Sequence, residues 1–186
     1  VIFHSDNLST SDLIEFFTPK NIQALILVNP DNPSGNFIEK EEVLRLCEWA
    51  EKKGIYLIVD ESFVDFADVK EPATLLTQEA LKSYSKLLVV KSISKSFGVP
   101  GLRLGILASN NLQLIEDLKK DVAIWNINSF AEFYLQIFEK YQSDYQIAMD
   151  RFKDVRKDFV QKLSAIPKLR VIPTQANFVL CEVNSS

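Results

Sequence analysis

Four short apolar segments constrain the fold of this chain more than any other feature of its sequence. They are rich in isoleucine, leucine and valine and lack alternating polar residues, and they cover Ala24–Val28 and residues 55–59, 87–90 and 104–108. Continuous apolar runs of this length are typical of strands buried on both faces, as in a parallel sheet. The pattern therefore predicts a parallel sheet with a layer of structure on each side.

Helical patterns separate the first three segments. Between the first and second, apolar residues recur at the spacing of one helix face: Val43, Leu46, Cys47 and Ala50. Glutamates crowd the first turn of this helix, and two lysines and Gly54 end it, as the helix dipole and C-cap preferences favour. A second helical stretch covers about residues 74–84. Alternating strands and helices predict an α/β fold with a mostly parallel sheet flanked by helices.

The character of the sequence changes after residue 108. Helices are predicted at residues 111–120, 129–141 and 145–165, followed by strands at 169–172 and 178–181. The last helix carries an apolar stripe of Phe152, Val155, Phe159 and Leu163. We predict a boundary near residue 140, with residues 1–140 forming part of an incomplete large domain. Residues 141–186 then begin a smaller α+β C-terminal domain.

Composition excludes several classes of protein. The 186 residues are 47% hydrophobic and carry a net charge of −4, which indicates a globular chain and argues against a nucleic-acid partner. No apolar run approaches the ~20 residues of a membrane span, so no membrane partner is expected. Two cysteines and a single histidine argue against a disulfide framework and a histidine-rich metal site, and no metal is predicted. A cytoplasmic location is the expectation.

Polar residues follow the first three predicted strands. Residues 29–35 read Asn-Pro-Asp-Asn-Pro-Ser-Gly, residues 60–63 read Asp-Glu-Ser-Phe, and residues 91–105 contain lysine, serine, glycine and arginine. In open parallel sheets, ligands bind beyond the carboxyl ends of the strands. The three segments are therefore expected to share one rim of the sheet.

These side chains suit one cofactor. A lysine can form a Schiff base with an aldehyde, and an aspartate can keep a pyridine nitrogen protonated, which makes the ring an electron sink. Hydroxyls and an arginine beside a glycine-rich turn can bind a phosphate, and an asparagine can bond a ring hydroxyl. This is the set of groups that pyridoxal 5'-phosphate (PLP) requires, and the sequence predicts a PLP site at the rim.

The three segments together resemble the fold-type I, class I/II PLP-dependent aminotransferases. Residues 29–35 are similar to the Asn-Pro-x-Asn-Pro-Thr-Gly segment of that family, with Ser34 in place of threonine. Asp60-Glu61 resembles the pair that ends a central strand, and residues 92–105 resemble the segment of the Schiff-base lysine. Three further stretches resemble the branch of histidinol-phosphate aminotransferases and threonine-phosphate decarboxylases: residues 100–103, 125–128 and 176–178.

The resemblance implies a role for each matching residue. Lys95 would form the Schiff base and carry a proton at the substrate Cα. Asp60 would pair with the pyridine nitrogen. Asn32 would donate to the ring hydroxyl, and its bond to Pro33 is predicted to be cis. The implied phosphate ligands are Ser92, Ser94 and Arg103. One departure is Phe63, which stands where the family usually has a tyrosine that donates to the ring hydroxyl.

The implied activity is an aminotransferase of amino acid biosynthesis, acting on an amino acid or amino acid phosphate and a 2-oxo acid. A decarboxylase of an amino acid phosphate is the alternative within the same cofactor class, and a catalytically inert remnant is another. A homodimer that binds a small-molecule substrate is implied by the family. The chain begins at Val1 and ends directly after an apolar run, so we expect a piece of a longer protein. The piece is expected to be inactive by itself, because the family's N-terminal phosphate loop and C-terminal substrate arginine have no counterpart in it.

Several residues are better explained by structural roles than by chemistry. Trp125 and Cys47 are predicted to lie in the core. Residues 150–162 alternate in charge and are predicted to form a solvated helix face, which includes Arg151 and Arg156. His4 is expected on the surface.

Overall fold

A four-stranded sheet forms the centre of the computed structural model, which describes residues 9–183. Its order is β1 (Ala24–Val28), β2 (Tyr56–Asp60), β3 (Leu87–Ser92) and β4 (Gly105–Ala108). The first three strands are parallel, which confirms the predicted mostly parallel sheet. However, β4 runs antiparallel to β3, so the prediction is wrong for this strand. The connecting residues 93–104 contain no α-helix that could cross the sheet and return the chain in parallel.

Three helices cover one face of the sheet: α1 (Thr10–Phe17), α2 (Lys40–Lys53) and α3 (Gln78–Ser83). The main core lies between them and alternate residues of the strands. The strands contribute Leu25, Leu27, Leu57, Val59, Leu87 and Val89, and the helices contribute Leu13, Phe17, Val43, Leu46, Cys47, Ala50 and Ala80. The predicted apolar face of α2 is thus confirmed, including the buried position of Cys47.

The α2 helix shows how local sequence sets an element boundary. Glu41 and Glu42 occupy its first turn, and Lys52 and Lys53 its last, so charge complements the helix dipole at both ends. Gly54 adopts a left-handed conformation with φ of 70° and caps the last carbonyl groups. The chain can then turn directly into β2.

The opposite face of the sheet is more open than the sequence predicts. In β1, Leu25 and Leu27 are buried, whereas Ile26 is 66% exposed. Burial on both faces is therefore wrong for this strand, because α1, α2 and α3 pack on one side only.

The second half of the chain contains three helices and a two-stranded sheet. The helices are α4 (Leu112–Asp121), α5 (Ser129–Ile137) and α6 (Gln142–Ser164), and the antiparallel strands are β5 (Leu169–Val171) and β6 (Cys181–Val183). The strand predicted at residues 178–181 begins later, because Phe178 is held in a turn. Its carbonyl accepts a hydrogen bond from Thr174 Oγ1 over 2.8 Å. None of the helices in the described part of the chain is long and apolar enough to cross a membrane.

The buried side of α6 is rotated from the predicted stripe. Val155 and Phe159 are exposed, while Met149 is buried against Phe63 and Phe66 together with Phe152. Arg156, predicted on a solvated face, is half-buried instead. Its guanidinium donates to the carbonyl groups of Phe66 and Ala176 and to the Gln175 side chain, over 2.7–3.2 Å. The buried stripe of α6 therefore runs through Tyr145, Met149, Phe152 and Arg156 at helical spacing.

Candidate active site

The parallel register aligns the carboxyl ends of three strands. Val28 pairs with Asp60, and Asp60 pairs with Val90. The segments that follow β1, β2 and β3 therefore begin at the same edge of the sheet, where the sequence places its polar motifs.

Asp60 and Ser92 are joined by the side chain of Ser62, a residue to which the sequence motifs assign no role. Ser62 donates its hydroxyl proton to Asp60 Oδ1 over 2.5 Å, and its backbone N–H donates to the same oxygen over 2.9 Å. The Ser92 N–H donates to Ser62 Oγ over 3.0 Å. Ser62 thus links the ends of β2 and β3, while Asp60 Oδ2 accepts no hydrogen bond from residues 9–183.

Lys95 lies in the turn of residues 93–97 that follows β3, and its side chain is exposed. Its Nζ atom lies 5.8 Å from the ring centroid of Phe63. Phe63 is buried and packs edge-on against Phe178, with 5.2 Å between ring centroids. Within the described residues the Lys95 ammonium forms no ion pair or hydrogen bond, so it is available to a ligand.

Two further predicted ligands lie on the same loop. Ser94 is buried, and its N–H donates to Ser92 Oγ over 3.4 Å. Arg103 is exposed in a left-handed conformation with φ of 58°, and its guanidinium reaches the Pro100 carbonyl at 3.4 Å. The α5 helix packs beneath this loop through Ala131, which shares a small apolar cluster with Ile93 and Leu104.

Asn32 is exposed at the tip of the loop that follows β1. The base of this loop is fixed by Asn29, whose buried side chain exchanges two hydrogen bonds of 2.8 Å with the backbone of Ile38. The Asn32–Pro33 bond is cis, as predicted, and the Asn29–Pro30 bond is also cis. No hydrogen bond or ion pair within residues 9–183 connects Asn32 or Arg103 to Asp60.

A buried charged cluster lies directly behind the rim, and sequence reasoning missed it. Lys91 forms an ion pair with Asp65 at 2.6 Å, and Ser96 donates to the other oxygen of Asp65 over 2.7 Å. Glu61 accepts hydrogen bonds from Thr74 Oγ1 and the Leu75 N–H. Burial raises the pKa of Glu61, against the lowering effect of these hydrogen bonds and of Lys91. Charged residues inside an otherwise apolar strand end are the signal that could have revealed the cluster.

The donor set fits PLP. An exposed lysine without an ionic partner, a carboxylate with one oxygen available, hydroxyl groups and an exposed arginine all lie on segments that leave one edge of the sheet. By contrast, no group of three or more histidine, cysteine, aspartate or glutamate side chains in the described part of the chain is arranged to hold a metal ion.

Comparison with known proteins gives the class of this fold and site. The sequence matches the family "Aminotransferase class I and II" over residues 3–186. The chain belongs to this family of PLP-dependent enzymes, and the predicted family and cofactor class are confirmed.

The names of individual relatives state two kinds of activity, decarboxylation and transamination. The chain is 31% identical to an L-serine phosphate decarboxylase of Campylobacter jejuni, with 95% of this chain aligned to 46% of that protein. It is 29% identical to a histidinol-phosphate aminotransferase of Ruminiclostridium cellulolyticum, with 100% of this chain aligned to 50% of that protein. A decarboxylase structure from Sulfurospirillum multivorans superposes with a TM-score of 0.85 and 30% identity, covering 96% of this chain and 51% of the other.

These relatives confirm the predicted branch of the family and the predicted fold. They also show that the chain spans about half the length of these relatives, in agreement with the expected fragment.

The His4 side chain lies outside the described residues. Trp125, predicted in the core, is 91% exposed, because it lies in the connection between α4 and α5 and joins none of the apolar clusters of the described residues.

Proposed function

We propose that the protein binds PLP through Lys95 and acts as an aminotransferase on an amino acid or amino acid phosphate. One observation carries this proposal. The exposed, unpaired Lys95 follows β3 at the edge where Asp60 ends the neighbouring strand β2, and Ser62 joins the two strand ends. A reactive amine and a carboxylate fixed on adjacent strands are the two groups that PLP chemistry requires from its protein.

The residues of the rim would each bind a different part of the cofactor. Asp60 would accept a hydrogen bond from the ring nitrogen and keep a proton there. Ser92, Ser94 and Arg103 would donate to the phosphate, and Asn32 to the ring hydroxyl. When bound, PLP withdraws electrons from the Cα atom of an amino acid. Lys95 Nζ would then take the proton from Cα and deliver it to the carbon that was the aldehyde of the cofactor, the transfer that an aminotransferase requires.

Reductive trapping tests the proposal. The full-length protein is incubated with PLP, reduced with borohydride and digested for peptide mapping. We expect the label on Lys95. Lys91, four residues earlier, is the internal control because it is buried and paired with Asp65. A label on Lys91, or on no lysine, contradicts the proposal.

Decarboxylation of an amino acid phosphate is the second candidate function. Phe63 supports it, because it departs from the tyrosine that is usual in the aminotransferases that the sequence resembles. The 31% identity to an L-serine phosphate decarboxylase supports it as well. Product analysis separates the two activities, since transamination yields a 2-oxo acid and decarboxylation releases carbon dioxide.

Residues 1–186 alone are proposed to be inactive. A substrate carboxylate is best held by an arginine that presents two parallel donors. Arg151 is exposed on the outside of α6, Arg156 is occupied by backbone carbonyl groups, and Arg170 pairs with Glu182 at 2.6 Å. None of these guanidinium groups contacts a rim residue in the described part of the chain.

The assembly and the domain division are also proposals. A homodimer is supported by apolar side chains of α5 that face solvent, with Phe130 79% and Phe133 59% exposed. Sedimentation of the full-length protein tests this, and a monomer at micromolar concentration contradicts it.

The boundary near residue 140 is retained as a proposal, which limited proteolysis tests. Cytoplasmic location is likewise proposed.

A further inference from the structure

We propose that Asp65 is the positioning residue for Lys95, an inference that rests on the proposed function of that lysine. Asp65 lies in the short helical turn Val64–Phe66, five residues after Asp60. One of its oxygens contacts Lys91 Nζ at 2.6 Å, and the other accepts a hydrogen bond from Ser96 Oγ over 2.7 Å. A single carboxylate therefore fixes the chain on both sides of Lys95.

The strength of this arrangement comes from its burial. The Lys91 side chain is 10% exposed and the Asp65 side chain 21% exposed, so water screens the pair little. Hydrogen bonds to a charged carboxylate are also stronger than those between neutral groups. Removing one partner would leave a buried charge without compensation. The contact is therefore expected to hold its geometry when other parts of the loop move.

Aromatic packing fixes the residue that follows Ser96. The Phe97 ring stacks on Tyr145 of α6, with centroids 4.5 Å apart and planes at 15°. On the other side of Lys95, Ser94 is buried. Burial or side-chain contacts thus restrain four of the five residues of the turn, Ile93 included, while the Lys95 side chain alone is exposed among residues 93–97. Such an arrangement presents a free amine from a rigid support.

Three variants of the full-length protein test the proposal. Ser96→Ala removes one hydrogen bond from Asp65 and leaves the ion pair intact, Ser96→Thr keeps the hydroxyl, and Asp65→Asn removes the charge. Glu51→Gln is the matched control, because Glu51 accepts from Ser85 Oγ at 2.6 Å and from the Lys86 N–H at 2.9 Å, before the opposite end of β3.

Two quantities are measured. The first is hydrogen exchange of the peptide 93–98 without PLP, and the second is the rate at which borohydride traps PLP on Lys95. We expect Ser96→Ala and Asp65→Asn to speed exchange in this peptide about tenfold and to slow trapping at least tenfold. This size is typical for loss of one hydrogen bond to a charged group. Ser96→Thr should restore both values, and Glu51→Gln should change neither.

Each outcome bears on the proposal. Wild-type values for Ser96→Ala overturn it, and so does faster exchange with an unchanged trapping rate. Faster exchange throughout the protein would show a purely structural role and also overturn it. If Asp65→Asn does not fold, the proposal is tested by Ser96→Ala alone, together with the recovery of both values in Ser96→Thr. A wild-type protein without label on Lys95 overturns the proposed function itself and the positioning role with it.

Discussion

Gly35 and Thr174 touch where the loop after β1 meets the loop after β5. A β-carbon built on Gly35 would lie 2.6 Å from the Thr174 β-carbon, closer than any real contact. The next residue in the chain, Gln175, donates its backbone N–H to the Gly35 carbonyl over 2.9 Å. The end of the Asn32 loop is therefore pressed against the second half of the chain, and only glycine fits there.

Gly35→Ala is expected to destabilise the protein by about 2–5 kcal/mol. About 1–2 kcal/mol comes from a side chain in the left-handed conformation, since φ is +76°. A further ~1–3 kcal/mol comes from the collision with Thr174. Urea unfolding of the full-length protein measures the loss.

Gly54→Ala is the matched control for this prediction. Gly54 has a similar φ of +70°, but a β-carbon there would have no atom within 4 Å. Its substitution should cost only the conformational part, about 1–2 kcal/mol. Equal losses for the two variants would show that the loops separate readily and that Thr174 does not restrict position 35.

Arg156→Lys should destabilise the protein by about 2–4 kcal/mol. A lysine cannot supply the fork of donors that reaches Phe66, Ala176 and Gln175, so buried acceptors lose their partners. Arg151→Lys, on the exposed side of the same helix, should change the free energy of unfolding by less than about 0.5 kcal/mol. Similar effects of the two substitutions in a denaturant titration would contradict the assigned contacts.

Glu61 predicts a pH dependence of stability. Its pKa in the folded protein is raised above the ordinary 4.5, chiefly by burial, so the folded state holds this proton more tightly than the unfolded state does. The contribution of Glu61 to the free energy of unfolding is fully present below the ordinary pKa of 4.5. It is lost as the pH rises through the pKa of the folded state, by about 1.4 kcal/mol for each unit by which the folded and unfolded pKa values differ. Glu61→Gln removes this loss.

The stability of Glu61→Gln relative to wild type should therefore increase between pH 4.5 and 7.5. Denaturant unfolding at several pH values in this range provides the measurement. Glu41→Gln, at an exposed position in the first turn of α2, serves as the comparison. A constant difference between Glu61→Gln and wild type across the range would mean that Glu61 titrates alike in both states.

Ser62→Ala should weaken PLP binding about tenfold, provided that the proposed function is correct. The substitution removes the hydroxyl that joins Asp60 to the Ser92 N–H, and a hydrogen bond to a charged group contributes about 1.5–3 kcal/mol. Equilibrium dialysis with PLP measures the change. Ser83→Ala removes an exposed hydroxyl that bonds the Glu79 carbonyl within α3, and it should leave PLP affinity unaltered. Unchanged affinity for Ser62→Ala would show that Asp60 keeps its position without this bond.

The sequence predicted those features of the helices and strands that follow from the spacing of apolar residues within one element. The limits of β1 and the buried face of α2 were predictable, because apolar spacing determines which side of an element is removed from water. The rim location of Asp60 and Lys95 followed from the ends of the predicted strands, since parallel strands share a direction.

Contacts between distant segments could not be predicted in this way. The role of Arg156 depends on carbonyl groups of Phe66 and Ala176, which lie 90 and 20 residues away in the chain. The Asp65 contacts with Lys91 and Ser96 likewise join separate turns. The antiparallel direction of β4 depends on the path of its connection, which the apolar pattern of the strand does not contain.

The hydroxyl of Ser62 has a consequence for how the rim of this sheet can vary. Because it links a carboxylate on β2 to the backbone of β3, two residues beyond the Val90 that pairs with Asp60, the offset between these groups is set by the register of neighbouring strands and by their spacing, about 4.8 Å. That spacing is a constant of β-sheets, independent of the length or sequence of surrounding loops. Insertions and substitutions in those loops can therefore change the rim around these groups while the separation of Asp60 and Ser92 is preserved.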